Sequence, residues 1–288
     1  MSADAPVALR VAAPELTSTS RAPRRGPLVA LLAALLAVGS LATAPAPVSA
    51  AGIKVAIVVG PAGSLTSSYI RDARSYAGLA RSYGATVVEV YSPNATWSRV
   101  RAALQGANLL IYLGHGNGFP NPYNTTLTPL KVDGFGLNPS ADSGNTRTAY
   151  YGESYVRTAV KLAPDAVVIL NHLCYSAGSS EPGRPNPTLT VARQRVDNFA
   201  AGFLGAGAQT VFAETLYDAS YVISSLFATD RTMLEIFWSA PNRTETYKAS
   251  FASVRTPGMS AVMDPRSPGS YYRSVVGTLS MTASTWRP

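Results

Sequence analysis

Apolar runs of strand length alternate along this chain with stretches whose apolar residues return every three or four positions. The runs at 53–59 (IKVAIVV), 86–91 (TVVEVY), 108–113 (NLLIYL), 166–170 (AVVIL) and 209–213 (QTVFA) are nearly continuous. Continuous runs mark strands buried on both faces of a parallel sheet. Helices are predicted between them: from Ser64 or Thr66 to 83, then over 96–105, 155–162, 190–206 and 219–238. In the first, Ile70, Ala73, Ala77 and Ala80 share one face, and Gly84 supplies the stop. Asn94 or Thr96 can cap the second. Strand–helix–strand order requires right-handed crossovers and helices on both sheet faces. The expected class is therefore α/β, a three-layer α/β/α sandwich with five parallel strands, and 271–281 as an antiparallel edge strand. Two polar segments rich in Gly and Pro, 117–152 and 176–187, interrupt the pattern. Loops of such length are functional or locally ordered.

The first fifty residues do not fit this alternation. Arg21, Arg24 and Arg25 precede an apolar stretch at 27–41, and Val48 and Ala50 place small residues before Ala51. This is the pattern of a cleaved secretion signal, bacterial in character, and too short for a lasting membrane span. Residues 1–50 are thus expected to direct export and 51–288 to form a single secreted α/β domain, with no stable membrane insertion after cleavage. Of the formal charge of +8, the first fifty residues hold four arginines against Asp4 and Glu15, so roughly +6 falls on the remainder. The lysines and arginines are scattered, which excludes a nucleic-acid-binding arm. One cysteine, Cys174, excludes an intramolecular disulfide framework, and a lone thiol outside the cell calls for burial or use.

Two of the strand ends carry chemistry. Residues 109–116 read LLIYLGHG and residues 166–174 read AVVILNHLC. Catalytic groups of open α/β sheets lie just past the carboxyl ends of strands. If these two strands are neighbours, His115 and Cys174 emerge side by side as base and nucleophile. The alternative readings are a turn histidine and a buried structural thiol. His172 alternates with Cys174, which puts both on one side if the strand continues. His115, His172 and Cys174 are all zinc-ligand types, but no further short-spaced pair completes a metal site. No calcium-loop or phosphate-loop motif is present, so neither metal nor cofactor is expected.

An apolar strand ending in His115-Gly116, followed by a second ending in a short polar segment and Cys174, resembles the caspase-like cysteine peptidases: caspases, metacaspases, legumains, gingipains and separases. The loop 174–178 (CYSAG) is similar to the small-residue loop after the nucleophile in legumain-like and metacaspase-like members. The resemblance implies a caspase-like sheet and a hydrolase with His115 as base and Cys174 as nucleophile. It also implies an oxyanion hole from the N–H groups of Gly116 and Cys174. The separation of 59 positions exceeds the usual one, which segment 117–152 accounts for. Caspases carry Gln two residues before the nucleophile and metacaspases often Asp, whereas this chain has His172, so the side-chain preference of neither transfers. The remaining candidate substrate-binding residues are Asn171 and His172 on the strand end, Glu181 in the loop after Cys174, and Glu214 and Asp218 after the fifth strand. The expected substrate is a polypeptide or a wall peptide. Two other functions keep the same fold: a non-catalytic protein binding wall polymer or protein, which the Asn and aromatic residues after His115 would suit, and a Cys-dependent amidase or transpeptidase acting on wall peptide.

Overall fold

The computed structural model describes residues 52–287; the expected signal, 1–50, lies outside them. The chain runs β1 (Lys54–Val59), a single 3₁₀ turn (Gly63–Leu65), α1 (Thr66–Ser82), β2 (Thr86–Tyr91), α2 (Trp97–Leu104) and β3 (Leu109–Leu113). A hairpin follows, β4 (Phe135–Leu137) with β5 (Ala149–Tyr151), then α3 (Glu153–Ala159) and β6 (Ala166–Asn171). The second half holds α4 (Leu189–Gly205), β7 (Ala208–Glu214), α5 (Ser220–Ala228), α6 (Met233–Trp238), β8 (Ala249–Ala252), β9 (Ser260–Met263), β10 (Arg273–Gly277) and α7 (Ala283–Trp286).

Eight of the strands form one sheet in the order β2-β1-β3-β6-β7-β10-β9-β8. The first five are parallel, and the last three add on antiparallel. Side chains alternate across the sheet, so each apolar run feeds two cores. Val55, Ile57 and Val59 pack with Ala73 and Tyr76 of α1 and with Val222 and Leu226 of α5. Ala56 and Val58 pack on the other face with Val100 of α2 and Val196 and Phe199 of α4. The molecule is the three-layer α/β/α sandwich expected from the pattern. Each such buried side chain contributes about 1.5–3 kcal/mol, which is why the central runs tolerate almost no polar residue.

Two expectations are corrected. The strand within 271–281 exists as β10, but it is not the edge, because β9 and β8 extend the sheet beyond it. Those two strands have four residues each, too few to show a period. The helix expected over 219–238 is two helices, α5 and α6. The break comes at Thr232, whose hydroxyl accepts from the Glu235 N–H while the Glu235 carboxylate accepts from the Thr232 N–H. This capping box starts a new helix. Segment 117–152 contains the β4–β5 hairpin, which Tyr112 ties to the sheet: its hydroxyl accepts from the Gly136 N–H at 2.8 Å and donates to the His115 carbonyl at 3.0 Å.

Candidate active site

Strands β3 and β6 are hydrogen-bonded neighbours, with Leu113 opposite Asn171. His115 lies two residues beyond the first and Cys174 three beyond the second, so both leave the carboxyl edge of the sheet at adjacent points. The two loops touch. A Cβ built on Gly116 would stand 1.9 Å from the Cys174 carbonyl oxygen, so no other residue fits at 116 without moving the nucleophile's backbone. His115, Cys174, His172 and Tyr69 border one cavity of about 660 Å³ with Glu181, Thr215 and Leu216. Among the described residues, no backbone carbonyl accepts from the N–H of Gly116 or Cys174. A second hollow of about 510 Å³ lies over β2 and α2 and holds none of the candidate residues.

The segment around Cys174 is held in an unusual backbone conformation. His172 and Tyr175, on either side of it, both take left-handed φ angles, 62° and 68°. Each such residue costs about 1–3 kcal/mol and persists only where its surroundings enforce it. Here they do. The His172 N–H donates to the Glu214 carbonyl at 3.1 Å. The His172 ring stacks on Tyr69 at 4.9 Å between centroids, and its Nε2 faces Asp72 Oδ2 at 3.6 Å. The Tyr175 ring lies under Arg195, whose Cζ is 4.7 Å from the ring centroid.

Electrostatics leave the pair uncharged at rest. Burial pushes the Cys174 thiol upward, and the Glu181 carboxylate adds to this. His115 stands at the cavity edge, open to solvent, yet the surrounding protein withholds enough water to draw its pKa down, with Glu181 opposing. His172 is also drawn down by burial, with Asp72 opposing. A raised thiol and a lowered imidazole both favour the uncharged forms of Cys174 and His115 over an ion pair. Among the described residues, no hydrogen bond joins the His115 ring to the Cys174 thiol. Such contacts commonly tighten only when substrate binds.

Of the candidates, His115, Cys174, His172 and Glu181 border the cavity together. Asn171, Glu214 and Asp218 are not on its lining. Asn171 is fully buried; its Oδ1 accepts from Tyr76 and its Nδ2 donates to the carbonyls of Glu214 and Tyr217, at 2.7 and 2.8 Å. Glu214 is fully buried against Arg273 at 3.0 Å. Asp218 accepts from the Ser220 N–H at 2.8 Å as α5 begins. Each strand end supplied the right neighbourhood, but the side chains serve the fold. Tyr69, Thr215 and Leu216 were missed. Tyr69 opens the helix after β1 and the other two follow β7, so all sit past carboxyl strand ends, where a search by position would have found them. No cluster of three or more His, Cys, Asp or Glu side chains suited to a metal ion occurs among the described residues, and none of the described helices is long and apolar enough to cross a membrane.

The fold and the edge-of-sheet site define an α/β protein whose sole thiol lines the same cleft as an imidazole. No protein-family model and no curated protein matches the chain. Among solved structures it is similar to a chain of the Saccharomyces cerevisiae separase–securin complex, at 17% identity over 61% of this chain and 10% of that one, with a TM-score of 0.29. It is also similar to a structural-genomics protein from Geobacter sulfurreducens, at 13% identity over 66% of this chain and 89% of that one, with a TM-score of 0.33. The chain therefore spans about a tenth of the separase-complex chain it matches. Both likenesses are slight and carry no argument about activity.

Proposed function

We propose that this chain is an exported, caspase-like cysteine peptidase in which Cys174 is the nucleophile and His115 the base. The observation that carries the reading is the pairing of β3 with β6, Leu113 opposite Asn171, which delivers both side chains to one cavity. The neutral resting pair suits general-base catalysis. His115 takes the thiol proton as Sγ attacks the carbonyl carbon of the scissile amide. The carbonyl π electrons move to oxygen, and the N–H groups of Gly116 and Cys174 stabilise that oxyanion. When the tetrahedral intermediate collapses, the C–N bond breaks and His115 returns its proton to the departing amine. A thioester to Cys174 remains. Water, deprotonated by His115, then attacks the thioester, releases the carboxylic acid and restores the thiol. Every proton moved is carried by His115, so the scheme requires no cofactor.

The test compares the full chain with its Cys174→Ala variant on a denatured mixed proteome, sequencing the new N-termini. Termini that arise only with the intact cysteine support the peptidase. Identical samples refute it and favour a binding protein. Activity on muropeptides alone would point instead to amidase or transpeptidase chemistry on wall peptide.

A further inference from the structure

We infer that the cavity at Cys174 selects an uncharged, apolar side chain, aliphatic or aromatic, gripped between Leu65 and Leu216. These two leucines come from distant parts of the chain, the turn after β1 and the loop after β7. They are 54% and 53% exposed, yet both border the cavity that holds Cys174. Tyr69 and Tyr272 belong to the same lining. An apolar pair left in water at the rim of a cleft regains transfer free energy when a ligand covers it.

Charge argues the same way. Apart from the two histidines, the charged residues on the lining are Glu181 and Arg184, and they are paired with each other at 3.2 Å. Tyr123 locks the pair: its hydroxyl donates to Glu181 and accepts from Arg184 at 2.9 Å. His172 already faces Asp72. A cationic or anionic substrate side chain would enter without a free counter-ion and lose its hydration uncompensated. The hydroxyl oxygens of Ser179 and Thr215, two residues of the lining, lack partners but are almost wholly covered, so they present little surface to an entering polar group.

The inference deepens the peptidase reading and rests on it for which bond is cut, but side-chain binding is measurable without hydrolysis. The experiment uses the full chain carrying Cys174→Ala and peptides identical except for one residue: Leu, Phe, Ala, Lys or Asp. Fluorescence anisotropy gives each Kd. The Leu and Phe peptides should bind about tenfold tighter than Lys or Asp. Adding Leu65→Ser and Leu216→Ser should erase that advantage and leave the Ala peptide unchanged. Both leucines are exposed, so the substitutions leave the core intact. Preferred binding of Lys or Asp, equal or no binding across the set, or an advantage that survives the double substitution would overturn the inference. Because this variant cannot cleave, its result stands apart from the proteome test of the peptidase itself.

Discussion

Glu181 acts on both members of the dyad from a distance. Its charge raises the pKa of Cys174 and also that of His115. Glu181→Gln should therefore lower both: the thiol becomes a thiolate at lower pH, and the imidazole is free to accept a proton at lower pH. Two readouts check this. The pH midpoint for alkylation of Cys174 by iodoacetamide should fall, and the acid limb of the kcat/KM profile should move the same way. Added salt should shrink the difference, since the carboxylate is partly solvated. Profiles that coincide would show that Arg184 already cancels the charge. His115→Gln removes the base outright, and kcat/KM should drop by about 10²–10⁴. Cys174 should still alkylate once the pH exceeds its own pKa, which separates loss of the base from loss of the fold. At this scale the sequence was informative about where His115 and Cys174 lie, because each closely follows the end of an apolar strand. It was silent on Asn171 and Glu214 as supports, because a polar residue at a strand end looks the same whether it faces a cavity or anchors a neighbouring loop.

Helix α4 links the dyad's two loops through one side chain. Arg195 is only 5% exposed, and among the described residues it has no carboxylate partner. Its Nε donates to the Pro120 carbonyl at 2.7 Å, and its Nη1 to the Gly178 carbonyl and the Ser180 hydroxyl, each at 3.1 Å. Asn198, one turn on, donates to the Phe119 carbonyl at 2.8 Å. The loop after His115 and the loop after Cys174 are thus pinned to the same helix. Arg195→Met should lower stability by about 3 kcal/mol, since charged hydrogen bonds are lost and carbonyls are left unpaired; urea unfolding measures it. Arg195→Lys should recover only part, because one ammonium cannot span both loops as a guanidinium fork does. Full recovery with lysine would mean that charge alone matters there. This brace was illegible in the sequence, where 190–206 reads as an amphipathic helix and the buried Arg195, Asp197 and Asn198 look like its wet face. The strands were legible because burial on both faces leaves a signal in each residue. The α5–α6 break was legible too, in the Thr232–Glu235 spacing, but the apolar residues on both sides obscured it.

Across the molecule, the sheet changes direction between β7 and β10, and the seam carries a buried charge cluster. Arg273 of β10 is 1% exposed and contacts two carboxylates, Glu214 at 3.0 Å and Asp264 at 2.6 Å. Tyr221 of α5 donates to Glu214 at 2.5 Å, and Arg273 donates to the Phe237 carbonyl of α6 at 2.7 Å. Two carboxylates against one guanidinium leave the cluster one negative charge in excess. Burial, only partly offset by Arg273, accordingly raises Glu214 from an ordinary 4.5 to about 7. The folded chain then holds a proton that the unfolded chain releases, so this group's stabilising contribution is complete below about 4.5 and is lost as the pH rises through 7. The urea midpoint should fall between pH 5 and pH 8, and Glu214→Gln, which carries its neutral form at every pH, should flatten that fall. A wild-type midpoint that instead rises over this window would show that Arg273 outweighs burial and keeps Glu214 ionised. Because the Glu214 carbonyl also accepts the His172 N–H two residues before Cys174, loosening this seam on the alkaline side should reach the nucleophile's loop, and peptidase activity should decline there in parallel with the urea midpoint.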